Sequence, residues 1–385
     1  MRRRYRILGG VFAILTLALA SLAIALSHNS PCGKPDALAA DAQRMKAIVY
    51  RCYGSTDVLR LEEIARPTVE DDQVLVRVRA AALNPLDWHY MTGTPYIMRL
   101  SAGLGSPTDT RVGVDFAGVV TAVGKNVTRF KSGDEVFGGR SGALAEYVAV
   151  REDRALALKP ANVTFEQAGS VGIAAITALQ ALRDHGRLQA GQKVLINGAS
   201  GGVGTFAVQI ARSMGAEVTA VCSTRNVELV RSIGADHVVD YKKEDFTKSG
   251  ERYDLILDNV GNQSFSALRR VLKDDGAVVM IGGPKKDPWL GPVTRSLRAM
   301  MLSPFISQEL LTMLAELNQD DLNILAGLMQ AAKVTPVIDR RYTLSEVPAA
   351  MEYMGSGHAR GKIVVSLSAP EPRVSAAPHE LHLTH

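Results

Sequence analysis

The hydrophobic pattern divides the chain before any motif is considered. Residues 7–26 form an uncharged run of twenty positions that follows a group of arginines. At 1.5 Å per residue such a run spans a hydrocarbon core of about 30 Å, so the pattern predicts a membrane helix. Residues 27–44 are polar and Ala-rich and read as a tether. From Met45 the apolar positions come in short strand-length runs, 46–50, 73–82 and 113–124, separated by charged and Pro-containing turns. Glycines and β-branched residues recur along this part, which predicts a compact, mostly β domain over 45–165. Beyond Phe165 the period lengthens. Helix-length segments at 167–184, 203–214, 227–233 and 263–272 are expected to alternate with strands at 193–197, 217–221, 237–241, 253–259 and 277–282. Such alternation implies a parallel sheet covered on both faces, here over 166–332. Residues 333–368 return to strand-like sequence, and 369–385, with three prolines and no apolar period, read as a disordered tail. Its His379, His382 and His385 are read as solvated.

Composition narrows the classes. A chain of 385 residues suits two domains of ~150–200 residues each. With 46% apolar and 22% charged residues it is neither disordered nor collagen-like. The net charge of +5 is concentrated at the start, where Arg2, Arg3, Arg4 and Arg6 precede the apolar run without an acid. Without those four, 40 basic residues face 39 acidic ones, so charge gives no argument for nucleic-acid binding. A run of this length favours a single-pass anchor over a cleaved signal, although Ala23 and Ala25 offer a small-residue cleavage site. The arginine flank would hold the N-terminus in the cytosol and send the large domain outside, and the side it occupies is left open. Cysteines stand at 32, 52 and 222, too far apart for a CxxC pair, and neither a disulfide framework nor a cysteine-built zinc site is expected.

The main chemical signal lies at residues 193–204, KVLINGASGGVG, between a predicted strand and a predicted helix. Glycines there allow a sharp turn and close approach of backbone to a pyrophosphate, which the free N–H groups of the helix start would receive. Ser200, Gly201, Gly202, Val203 and Gly204 are therefore candidate cofactor-binding residues. The following strand ends in Val221-Cys222-Ser223-Thr224-Arg225, with no acid before Glu228 to bind a ribose 2′-hydroxyl. Ser223 and Thr224 as donors, with Arg225 for charge, favour NADPH over NADH. Tyr241 and Lys242, after the third strand, are placed to cover the same phosphate. Asn259 and Gly282, at the ends of the fourth and fifth strands, and Lys362, in the returning segment, complete the candidate set.

These segments, in this order, resemble the zinc-free quinone-oxidoreductase-like branch of the medium-chain dehydrogenase/reductase superfamily. The likeness covers residues 45–368 and is carried by Ala82-Leu83-Asn84-Pro85-Leu86-Asp87, the 113–120 and 131–138 segments, the Gly198–Gly204 turn, 234–241, and His358-Ala359-Arg360-Gly361-Lys362. It implies a GroES-like catalytic domain (45–165 and 333–368) interrupted by a doubly wound Rossmann domain (166–332), a nicotinamide cleft between them, and a possible homodimer. Zinc alcohol dehydrogenases of the superfamily carry a Cys where this chain has Asn84 and a His-Glu pair where it has Val114-Asp115, so no catalytic zinc is expected.

The expected activity is NADPH-dependent hydride transfer to a small hydrophobic quinone or α,β-unsaturated carbonyl. Asn84, His89, Tyr90 and Tyr96 are the candidate catalytic side chains, with solvent as an alternative proton source. Residues 288–302 and 98–104 are apolar and would line a pocket, meet a membrane surface or pack between domains. A non-catalytic NADPH-binding assembly protein is the rival reading from another class, and a zinc-dependent alcohol dehydrogenase the third.

Overall fold

The computed structural model describes the backbone of residues 2–283 and 287–367 and the side chains from residue 13 onward within those ranges. The tail expected to be disordered lies outside the described residues. The first part of the chain forms an antiparallel pair, β1 (Arg44–Val49) and β2 (Arg60–Ala65). It continues through β3 (Gln73–Leu83), β4 (Asp115–Val123), β5 (Glu135–Gly139), β6 (Tyr147–Arg151) and β7 (Leu156–Leu158). Then come β8 (Lys193–Asn197), β9 (Glu217–Cys222), β10 (His237–Asp240), β11 (Tyr253–Asp258), β12 (Leu272–Met280) and β13 (Glu309–Thr312). These six make one sheet in the order β10-β9-β8-β11-β12-β13, every pair parallel. Finally β14 (Ile338–Thr343) and β15 (Lys362–Ser366) return to the first region, where β15 pairs antiparallel with β3 in a seven-stranded sheet.

The inner strands of the parallel sheet are buried on both faces, as the apolar runs at their centres require. In β8, Val194 and Ile196 join a cluster with Phe206 and Ile210 of the following helix, while Leu195 turns to the opposite cluster with Ile256, Leu268 and Val278. The strand order reverses between β8 and β11, which opens a crevice at their C-terminal ends. The mixed sheet has its own core around Phe116, Leu144, Met351 and Ile363.

The single helix expected over 167–184 is broken. Phe165–Ala168 stops at Gly169, and a second helix, Gly172–Gln180, begins with the Ile173 N–H donating to Asp115 Oδ1 at 2.8 Å. A new helix N-terminus is thereby presented to a buried carboxylate of β4.

The N-terminal expectation needs correcting. A helix forms over Arg2–Ser27, yet among the described residues no helix is long and apolar enough to cross a membrane. The membrane localisation read from the sequence is therefore overturned. The end of this helix is fastened to the body instead. Leu26 is buried, and Arg99 Nη1 donates to the carbonyls of Leu26 and His28, both at 2.9 Å. Arg99 Nε donates to Gly93 O, and the guanidinium lies over the rings of Tyr53 and Tyr96. The expectation that the cysteines stay unpaired also fails. Cys32 and Cys52 form a disulfide with Cα atoms 4.6 Å apart, because the tether folds back along the end of β1.

Arg99 is only 1% exposed and satisfies three carbonyls at once, those of Leu26 and Gly93 on buried residues. Arg99→Ala is expected to cost about 2–4 kcal/mol, since those acceptors lose their partner. Urea unfolding measures that loss, and limited proteolysis should show faster cleavage within residues 27–44.

Candidate active site

The cleft is built at the ends of β8, β9 and β11 and closed from the other sheet by β3, β4 and β15. After β8 the chain turns through Gly198 to Gly201, and Gly202–Ser213 begins a helix whose first N–H groups face the crevice. Gly204 must be glycine, because a Cβ there would sit 2.2 Å from Gly198 O. Gly201 has open space, with nothing nearer than Gly198 O at 3.5 Å from an added Cβ. A pyrophosphate can therefore approach the backbone at this point.

On the opposite side, Lys362 starts β15 with its side chain 2% exposed and its stem against Gly202. Its Nζ donates to Asn84 Oδ1 at 2.6 Å and to Asp115 Oδ2 at 3.1 Å. Asn84 Nδ2 donates to the same Asp115 oxygen at 2.9 Å, and Asp115 Oδ1 receives Ile173 N. Four polar groups from β4, β15, the end of β3 and the Gly172–Gln180 helix thus satisfy one another out of water, as a buried charge requires. The Asn84 amide is held at both ends by this network. Asp87, in the first turn of Pro85–Thr92, accepts from Asn84 N at 2.7 Å. Burial, reinforced by nearby Asp115, pushes its carboxyl up to about 7 against the opposing Asn84 and Gly113 N–H groups and Lys362.

The other three candidate catalytic residues lie along the same loop and helix. His89 Nδ1 donates to Thr94 O at 2.7 Å, which fixes that ring nitrogen as protonated. Tyr90 is 39% exposed. Tyr96 meets Trp289 edge to face with centroids 5.1 Å apart, and Tyr96 N and Ile97 N donate to Pro288 O and Trp289 O. The 288–302 segment therefore bridges to the Tyr96 loop, as packing between the two halves.

At the adenosine end the assignments divide. Ser223 closes β9 with its hydroxyl oxygen accepting from Asn226 Nδ2 at 3.2 Å. Thr224 is committed elsewhere, its hydroxyl donating to Asp240 Oδ2 at 2.7 Å. Arg225 reaches the His358 carbonyl at 2.8 Å, and Tyr241 is 56% exposed beside the Lys242 ammonium. Val203 lies in the first turn of the Gly202–Ser213 helix. Asn259 Nδ2 donates to Asn197 O, whereas its buried Oδ1 has no partner among the described residues. Gly282 packs against Asn259, where a Cβ would stand 2.0 Å from the Asn259 carbonyl. Cys222, with its thiol pushed up to about 11 by burial, is no nucleophile.

Sequence reasoning missed Asp115, Asn226 and the pair Asp258–Arg295. Asp258, 0% exposed at the end of β11, receives Arg295 Nη2 at 2.6 Å and Asn197 Nδ2 at 2.9 Å. The only available signal was an acid directly after the apolar run Leu255-Ile256-Leu257, which calls for a partner.

Orphaned buried oxygens on Asn226 and Asn259, together with the open cradle at Gly201, fit a bound dinucleotide. The fold and cleft are those of a nicotinamide-dinucleotide-binding oxidoreductase. Comparison with known proteins agrees. The alcohol dehydrogenase GroES-like domain family matches residues 70–161, and the zinc-binding dehydrogenase family matches 233–365. A 2-methylene-furan-3-one reductase of Solanum lycopersicum is 36% identical over 336 residues, 83% of this chain and 79% of that protein. The NADPH-dependent alkenal/one oxidoreductase, chloroplastic, of Arabidopsis thaliana is 36% identical over 338 residues, 84% of this chain and 80% of its own length. The solved quinone oxidoreductase from Coxiella burnetii superposes with a TM-score of 0.74 at 29% identity, covering 85% of this chain and 100% of that one. The chain belongs to the medium-chain dehydrogenase/reductase superfamily, in its quinone-oxidoreductase-like branch.

The metal in one family's description does not fit this donor set. Among the described residues no three His, Cys, Asp or Glu side chains gather to hold a metal ion. Asn84 and Asp115 are bridged by the Lys362 ammonium, and a second cation there would meet it directly.

Two outcomes follow. Lys362→Met strands the Asp115 carboxylate and should lower stability by about 3–5 kcal/mol in urea titrations, while Lys362→Met with Asp115→Asn recovers most of it. For Asp87, the folded protein holds the proton more tightly than the unfolded chain. Its contribution to stability is therefore greatest below about pH 4, falls as pH rises to about 7, and then levels. Urea midpoints measured from about pH 4 to 8 should show a shallower fall for Asp87→Asn than for the unaltered protein.

Proposed function

We propose that the protein is an NADPH-dependent, zinc-independent reductase of quinones or α,β-unsaturated carbonyl compounds. The observation that carries the reading is the buried Lys362 ammonium between Asn84 and Asp115, pressed against the phosphate turn at Gly202. The names of the relatives, an alkenal/one oxidoreductase and a quinone oxidoreductase among them, support the same chemistry.

NADPH supplies the hydride from its nicotinamide ring. The chain supplies position and field. The Gly198–Gly204 turn and the Gly202–Ser213 helix start hold the pyrophosphate, and Ser200 donates to it. Ser223 donates to the 2′-phosphate, with Arg225 and Tyr241 at the rim. Thr224 acts one step back, its hydroxyl donating to Asp240 Oδ2 and holding that carboxylate in its charged form. Asn259 offers its unpartnered oxygen to the cofactor's ribose or amide end, and Gly282 lets that end of the sheet close up. Lys362 sets a fixed positive charge at the floor of the cleft, where negative charge develops on the acceptor oxygen, and Asn84 is locked in place to direct its amide. Tyr96 and Trp289 form the apolar wall for a flat hydrophobic acceptor. Tyr90, with His89 behind it, lies on the solvent side and is the proposed path for the proton.

An activated C=C or a quinone needs less polarisation than an isolated ketone, so a site with an ammonium and no Lewis acid suits it. The test is steady-state oxidation of NADPH with a panel of quinones, enones and simple ketones. Turnover with the first two and little with the third is expected, and binding without any turnover would favour the non-catalytic reading. Ser223→Asp should reverse the NADPH preference, and an unchanged NADPH to NADH ratio would count against the assigned phosphate pocket.

A further inference from the structure

Asn226 was no part of the phosphate turn and lies beyond the strand end that selects the cofactor. It is 5% exposed and precedes the short helix Val227–Ser232. Its Nδ2 donates to Ser200 Oγ at 2.8 Å and to Ser223 Oγ at 3.2 Å. One amide therefore spans the two places where the dinucleotide's phosphates would lie, one in the turn after β8 and one at the end of β9.

The direction of these bonds carries the argument. A serine hydroxyl has one hydrogen, and an oxygen that accepts from an amide directs that hydrogen elsewhere. Among the described residues neither Ser200 nor Ser223 donates its hydroxyl hydrogen to a protein acceptor. Thr224, one residue on, shows the contrast, since its hydrogen is taken by Asp240. Asn226 also fixes the backbone here, its N–H donating to Ser223 O at 2.8 Å, and its own Oδ1 is buried with no partner among the described residues.

The geometry points to Asn226 as a positioning residue that aims the Ser200 and Ser223 hydroxyls at the cofactor and so sets the preference for a 2′-phosphate. This rests on the reading that Ser223 meets that phosphate. Asn226 touches the two serines and acts through them. Removing its amide lets both hydroxyls turn inward or spin, and the loss is larger for NADPH, which uses both, than for NADH, which uses Ser200 alone. Asn226→Asp keeps the shape but reverses the bonds. A carboxylate only accepts, so it draws both hydrogens inward and sets a negative charge beside the phosphates.

The experiment is calorimetric titration of NADPH and of NADH into the wild-type chain, Asn226→Ala, Asn226→Asp, Ser223→Ala and the Ser223→Ala/Asn226→Ala double variant. Cofactor-free melting curves verify that each is folded. Asn226→Ala is expected to weaken NADPH about tenfold or more and NADH by less, with Asn226→Asp worse than Ala for NADPH. In the Ser223→Ala background, Asn226→Ala should leave the NADPH to NADH ratio unchanged, because the shared hydroxyl is already gone. Independent, additive effects on that ratio, or an Asn226→Asp variant that binds NADPH like wild type, would overturn the proposal. Should the wild-type chain bind both dinucleotides equally, or Ser223→Ala leave the ratio unmoved, the phosphate-pocket reading itself falls, and the role of Asn226 with it.

Discussion

The Lys362 ammonium, held by Asn84 and Asp115 away from water, is the constraint around which the rest of the molecule is arranged. Burying one charge costs several kcal/mol unless partners replace its hydration, and here each partner is itself tied down. Asp115 is shared by Lys362, Asn84 and the Ile173 N–H in the first turn of Gly172–Gln180, and the break in the helix at Gly169 leaves that N–H free to be offered. Asn84 ends β3 and starts Pro85–Thr92, with Asp87 closing the turn from below. The pairing of β15 with β3 delivers Lys362 to that place from 278 residues away. One ion pair thereby fixes the first sheet, its returning strand and the hinge into the second.

The cofactor side follows a different logic, in which backbone carries most of the load. The parallel order of β9, β8 and β11 puts three strand ends at one crevice, and glycine at 204 lets a helix begin close above it. Side chains then refine what the backbone offers. Asp258, with Arg295 and Asn197, braces the floor, and Asn226 braces the two serines. Lys362 touches both systems through its contact with Gly202, so the electrostatics of the acceptor site and the geometry of the phosphate turn are mechanically joined.

What could be read from the sequence was what is local. The phosphate turn, the strands around it and the absence of an acid after β9 depend on neighbours within a few residues, and β8 matches the expected 193–197 run residue for residue. Partnerships across the chain were invisible. Lys362 looked like one more cofactor contact because nothing near it in sequence announces Asn84 or Asp115. Asn226 carried no signal of its own, because nothing near it in sequence announces Ser200. The split helix could not be foreseen without the carboxylate it faces, and the Cys32–Cys52 bridge depends on where the tether lies, which no spacing rule encodes. The initial apolar run was judged by its length alone, whereas Arg99 shows its end serving as a strap on the folded body.

We propose that an ammonium does here what a metal does in zinc-dependent members of the superfamily. The most direct measurement is NADPH-dependent enone reduction by protein stripped with a chelator, with zinc content determined by elemental analysis on the same sample. Undiminished turnover at negligible zinc, with no gain when zinc is added, is the expected result. Loss of turnover on stripping, restored by one equivalent of zinc per chain, would contradict it.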